Sequence, residues 1–197
     1  MLMMRGPNGL TGGRIVTALT SNVDVFPTIC DYLGLEKPDW LQGISFMPVI
    51  RDEKEEIRKE IFAEIDYHAS FEPVRCVRTN RYKYVKRYSD RDKPVLPNCD
   101  DSPSKTYLME QGWQEQNLPK EALYDLIFDP YEKNNLIDDP QKKEITEDLK
   151  VKLEAHMRST GDPLLTKGYV PAPKGALVNH PDDISAKGKL ITPKYVK

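Results

Sequence analysis

His68 stands in Asp66-Tyr67-His68-Ala69-Ser70-Phe71, directly after the apolar run Ile61-Phe-Ala-Glu-Ile65. An imidazole in such a place can hydrogen-bond a hydroxyl or a carboxylate in either protonation state. Loops fed by strand ends are also where sites are commonly built. A loop histidine is equally satisfied by water, so the position alone does not decide. Downstream, Arg75, Arg78, Arg81, Lys83, Lys86 and Arg87 alternate with Tyr82, Tyr84 and Tyr88. That basic, aromatic pattern could hold an anion, a sulfated sugar or single-stranded nucleic acid. The reading we prefer is a half-buried sheet whose Lys and Arg stems cover apolar surface. The acid pairs Asp100-Asp101, Asp138-Asp139 and Asp182-Asp183 sit beside Pro or Ser and read as solvated turns. The sequence contains no GxGxxG, GxxxxGK[ST], HExxH or GxSxG pattern and no EF-hand loop.

Composition narrows the field further. The chain has 197 residues, 29 Lys+Arg against 31 Asp+Glu, and a formal net charge of -2. No bulk basic field is available for nucleic acid or an anionic membrane. No apolar run approaches the roughly 20 residues of a membrane-spanning helix. The opening MLMMRGPNG is too short an apolar stretch for a signal-peptide core of about 7–15 residues. Three cysteines, Cys30, Cys76 and Cys99, form no CxxC pair, and the histidines are only His68, His156 and His180. A disulfide-dense scaffold and a Cys-rich zinc module are excluded.

The elements that must position these residues follow from periodicity. Met1–Met4 reads as a short strand followed by the turn Arg5-Gly-Pro-Asn-Gly9. A helix is expected from about Ser21 to Leu33, capped by Ser21 or Asn22 and stopped by Gly34, with Phe26, Ile29, Cys30 and Leu33 as its buried face. Cys30 is thereby expected to be a core residue. Gly34–Pro48 reads as a loop with anchors at Trp40, Leu41, Ile44 and Phe46, and Arg51–Glu60 as a solvated, charged boundary. Strands are expected at Ile61–Ile65, Val74–Arg78, Tyr82–Lys86 and Leu123–Leu126, giving three or four antiparallel strands. Between the last two, residues 89–120 read as a long loop, functional or poorly ordered. Pro140–Thr160 is the clearest helix, with Ile145, Leu149, Leu153 and Met157 covering the sheet, and His156 is expected to pack beside that face. Leu164–Lys197 reads as an extended tail. The fold class is α+β, and the divisions expected are 1–50, 51–163 and 164–197.

Five blocks resemble the sulfatase family, in the family's order. They are Arg5-Gly-Pro-Asn-Gly with Gly12-Gly13-Arg14; Thr20-Ser-Asn-Val-Asp-Val-Phe-Pro-Thr-Ile29; Leu41-Gln-Gly-Ile-Ser45; Val77-Arg-Thr-Asn-Arg-Tyr-Lys-Tyr84; and Leu123-Tyr-Asp-Leu-Ile-Phe-Asp-Pro130 with Glu132 and Asn135-Leu136. The insertion before Leu123 and the late Gly161-Asp-Pro163 and Pro171-Ala-Pro-Lys-Gly175 are most similar to the heparan N-sulfatase branch.

The resemblance implies the C-terminal part of an alkaline-phosphatase-like α/β sulfatase: a terminal strand and helix of the catalytic domain, then a small antiparallel sheet packed by a C-terminal helix. It implies a formylglycine, made from Cys or Ser in a Cys/Ser-x-Pro-x-Arg motif, and a calcium ion held by Asp and Asn. A hydrated aldehyde supplies a geminal hydroxyl as nucleophile, and the cation neutralises sulfate oxygens as charge moves to the leaving group. Neither the motif nor an Asp-His-Gly or Asp-Asn-Gly metal element occurs here. In the family both precede the Arg5-Gly-Pro turn, so the expected partners are an N-terminal catalytic domain and a sulfated carbohydrate. The family implies a periplasmic, extracellular or lysosomal setting. The loop after Ile61–Ile65 faces the cleft in such enzymes, which makes Asp66, Tyr67 and His68 candidate substrate contacts and Arg75 a candidate for an anionic group. The competing expectations are a stand-alone carbohydrate- or partner-binding module and a fragment of a related phosphatase or phosphonate hydrolase.

Overall fold

In the computed structural model, residues 2–7, 10 and 12–195 are described. The chain divides into two compact units, residues 1–61 with 78–81, and residues 62–77 with 82–197.

In the first unit, the expected helix forms as a 3₁₀ turn, Asn22–Asp24, running into α1, Val25–Leu33. The fully buried Asp24 organises its start. Its carboxylate accepts from the backbone N–H of Ser21 at 2.7 Å and of Ile44 at 2.8 Å, and pairs with Arg58. Gly34 takes the left-handed conformation, φ 66°, that stops the helix. Gly43 permits the close approach of the following loop, because a Cβ there would lie 1.9 Å from the Val23 carbonyl oxygen.

The face of α1 differs from expectation. Cys30 is buried as predicted, but it is joined by Pro27 and Thr28, while Phe26, Ile29 and Leu33 are exposed. The Thr28 hydroxyl explains the choice: it donates to the Asp24 carbonyl at 2.6 Å and accepts from the Phe46 N–H at 3.0 Å, drawing that side of the helix inward. Phe46 is a buried anchor, whereas Trp40 and Ile44 are exposed. The short helix α2, Met47–Ile50, was not legible, being a single turn led by Pro48. Among the described residues before Ile61 no strand forms, so Leu2–Met4 are not the expected strand. Met1 of that strand and Asn8 and Gly9 of the following turn lie outside the described residues.

The second unit is built on a four-stranded sheet in the order β1 (Ile61–Tyr67), β2 (Phe71–Arg78), β3 (Tyr82–Arg87) and β4 (Glu121–Asp125). β3 and β4 are antiparallel, with Tyr84 opposite Leu123. The segment between them is ordered, contrary to the long loop expected. It carries α3, Pro103–Glu110, whose Ser102 side chain accepts from Lys105 N–H. The buried Lys105 ammonium donates to the carbonyls of Leu96 and Cys99 at 2.9 and 2.7 Å and pairs with Asp101. One lysine thus gathers the loop's free carbonyls, work that a Pro- and Asp-rich composition does not reveal.

Helix α4, Lys143–Ser159, buries Leu149, Leu153 and Met157 against Val77, Tyr84 and Leu123 of the sheet, with Ile145 partly buried beside them. The i+4 repeat therefore reads correctly onto the core. His156 packs as expected, flat on the Phe62 ring with centroids 3.9 Å apart. The tail is not simply extended: it forms α5, Pro163–Lys167, and a two-stranded pair, β5 (Val178–Asn179) with β6 (Leu190–Ile191). Its last two residues lie outside the described ones. No helix of the described residues is long and apolar enough to cross a membrane.

Candidate functional site

The β1–β2 turn, residues 68–70, carries the predicted histidine. Its backbone closes through His68 N–H to the Ser70 carbonyl at 3.1 Å. Two distant segments pin it. Asn98 accepts from Ser70 N–H at 2.7 Å and donates onward to Glu72 at 2.9 Å. The Ala69 carbonyl accepts from Asn179 N–H of β5 at 2.7 Å. His68 itself is exposed on this fixed turn. At its base the Ser70 hydroxyl and the Asn179 side-chain amide are buried with no hydrogen-bond partner.

Tyr67 and Asp66 alternate in direction, as neighbours on a strand must. The Tyr67 ring tilts against Phe71 at 4.8 Å, and its hydroxyl donates to the Val170 carbonyl at 2.9 Å. Burial, then the nearby Asp66 charge, pushes its phenol above the ordinary value. Asp66 turns to Arg75, which is only 3% exposed. The guanidinium is bidentate twice: to Asp66 at 2.8 and 3.2 Å, and to Asp162 at 2.6 and 3.2 Å. It also donates to the carbonyls of Ile65 and Val74. Burial works against its charge, but the two carboxylates outweigh burial and raise its pKa. Burial likewise opposes the Asp162 charge, and Arg75 with the Leu164 N–H overcomes it, holding that carboxyl below its usual range.

The structure therefore joins Asp66 to Arg75 and leaves Tyr67 bonded elsewhere and His68 facing solvent. Sequence reasoning missed Asp162 as the partner of Arg75, reading Gly161-Asp-Pro163 only as a block similar to the heparan N-sulfatase branch. Asp followed by Pro is also a helix start, and here Asp162 caps α5, accepting from Leu164 N–H at 2.9 Å. Two lysines of the basic, aromatic hairpin pair with acids of later segments, Lys83 with Glu132 and Lys86 with Glu121, which Lys150 of α4 also meets. Among the described residues no group of three or more His, Cys, Asp or Glu side chains could hold a metal ion.

Comparison with known proteins defines the class. Residues 1–121 match the family described as N-sulphoglucosamine sulphohydrolase, C-terminal. An ulvan-active sulfatase of Formosa agariphila is 29% identical over 174 residues, covering 86% of this chain and 34% of its own length. Human N-sulphoglucosamine sulphohydrolase is 26% identical over 189 residues, covering 84% of this chain and 36% of its own. Among solved structures, a 2-O GAG sulfatase superposes with a TM-score of 0.52 at 26% identity, covering 73% of this chain and 26% of that one.

The fold and sequence are those of the C-terminal part of a sulfatase. This chain belongs to the N-sulphoglucosamine sulphohydrolase C-terminal family. It spans 34%, 29% and 24% of the lengths of three of the curated sulfatases it matches.

Proposed function

We propose that this chain is the C-terminal portion of a sulfatase that acts on a sulfated sugar, and that it is inert without the catalytic portion. The observation that carries this reading is the family match over residues 1–121, which runs through the β1–β2 turn. Relatives named for sulfated saccharides support the substrate class: ulvan-active sulfatases, a Delta 4,5-hexuronate-2-O-sulfatase and an N-acetylglucosamine-6-O-sulfatase. In this reading the formylglycine and the calcium belong to the catalytic portion.

Of the four substrate-binding residues, His68 is the direct contact. It is exposed on a turn whose backbone is held from both sides, so only its side chain is ordered when the imidazole meets a hydroxyl or carboxylate. Tyr67 lends the turn an aromatic flank. The Asp66–Arg75 pair is already mutually neutralised, and its share in the site is to hold the end of β1 against β2 and α5.

Inertness is tested by incubating the purified 197-residue protein with calcium and a chromogenic aryl sulfate. The expected result is no turnover above buffer. Turnover that disappears on substituting a residue of this chain contradicts it.

A further inference from the structure

A second exposed histidine stands beside the β1–β2 turn. Asn179 of β5 donates its backbone N–H to the Ala69 carbonyl at 2.7 Å. His68 precedes one partner of that bond and His180 follows the other, so chain geometry keeps their Cα atoms within about 14 Å. The seam between the two segments has an inner and an outer side. Ser70 and Asn179 lie inward, 0% and 2% exposed, whereas His68 and His180 both face solvent. The backbone under His180 is fixed as well. Its N–H donates to the Asp183 carboxylate at 3.0 Å, and its carbonyl accepts from the Asp183 N–H at 3.0 Å. The ring is oriented too: Nδ1 accepts from the Asp182 N–H at 3.2 Å, which leaves Nε2 as the donor of the neutral imidazole. Asp182 pairs with Arg91, and Arg91 donates to the carbonyls of Lys93 and Pro94 at 3.0 and 3.2 Å. The turn is thereby tied to the same ordered segment that supplies Asn98 to the base of the His68 turn.

We propose that His180 is a second substrate-contacting residue, donating from Nε2 to an oxygen of the saccharide that His68 also meets. The inference rests on the functional reading above and adds a residue from the tail to the site. Two imidazoles on the outer side of one seam, at this separation, suit a ligand the size of a disaccharide. A fixed backbone under each limits what binding must order. Arg91 matches the charge of Asp182, so the carboxylate beside His180 is neutralised before an acidic saccharide approaches. A metal centre is the poorer reading of the pair. Such centres take at least three protein ligands, and no group of three or more His, Cys, Asp or Glu among the described residues could hold a metal ion.

The test uses the full 197-residue chain with a sulfated ulvan oligosaccharide as the probe. Imidazole NMR signals are assigned with the variants His68→Ala and His180→Ala, and His156, stacked on Phe62 within the fold, serves as the internal reference. His68 and His180 are expected to shift together along one saturation curve while His156 stays in place. His180→Ala should weaken that binding at least about threefold, the loss of one net hydrogen bond, and keep the wild-type far-UV spectrum because the side chain faces solvent. A shift at His68 without one at His180 overturns the inference and leaves the functional reading standing. A titration that moves neither signal also overturns it, and desulfation by a single-chain fusion with the catalytic portion of the Formosa agariphila sulfatase then decides whether the functional reading survives. In that fusion His180→Ala should raise KM for the oligosaccharide at least about threefold with kcat kept, and leave turnover of an aryl sulfate, which has no sugar oxygens, unchanged. An unmoved KM, or equal losses on both substrates, overturns the inference.

Discussion

Arg75 and Asp162 carry the heaviest electrostatic commitment in the second unit, each with a side chain only 3% exposed. Asp162→Ala leaves Arg75 paired with Asp66, so the loss in urea denaturation should stay below that of a stranded charge, at about 2–3 kcal/mol. The α5 cap disappears with it and is part of that loss. The Ser70 hydroxyl presents the opposite case, being fully buried and unpartnered. Ser70→Ala removes an unmet polar group, so stability should hold or rise, by about 1 kcal/mol at most. Two groups contribute to the pH dependence of stability with the same sign. Burial pushes the His156 imidazole below its ordinary 6.5. The unfolded chain then takes up the proton first, so stability is complete above about 6.5 and declines as pH falls toward the lower folded value. The Asp162 carboxyl, held below 3.8 in the fold, adds a second loss as pH falls under that value. Thermal midpoints measured from pH 7 to 3 should fall in both intervals, and His156→Gln should erase the first.

At the scale of elements, legibility followed how local the determining forces are. α4 was readable because Leu149, Leu153 and Met157 recur at one turn's spacing and meet a single sheet. The strands were readable from Val77, Tyr82 and Tyr84, although β1 and β2 run longer and close on a three-residue turn. What could not be read were arrangements made by one polar side chain acting over distance. The inward side of α1 is chosen by Thr28 reaching Phe46, 18 residues away. Residues 89–120 gain order because Lys105 finds three acceptors, and Asp162 reaches Arg75 across 87 residues. The place of His68 on the turn after β1 was legible in the sequence, whereas the Asn98 and Asn179 contacts that fix that turn leave no sequence signature. Gly43 supplies an element-scale prediction. Its missing Cβ lets the loop pass Val23, so Gly43→Ala should cost about 2–3 kcal/mol and loosen α1, seen as faster hydrogen exchange in residues 22–33.

At the scale of the whole molecule, the proposed role is that this chain positions substrate for chemistry supplied by a catalytic portion, and the family match over residues 1–121 supports it. In that proposal the β1–β2 turn contributes specificity and the other portion rate. The most direct measurement is desulfation of a sulfated ulvan oligosaccharide by a fusion in which this chain replaces the matching part of the Formosa agariphila sulfatase. The account predicts turnover by the folded fusion and at least about a tenfold drop in kcat/KM for His68→Ala, the loss of one well-placed hydrogen bond to a charged or hydroxyl group. A folded fusion that turns nothing over, or one whose turnover is indifferent to His68, contradicts it.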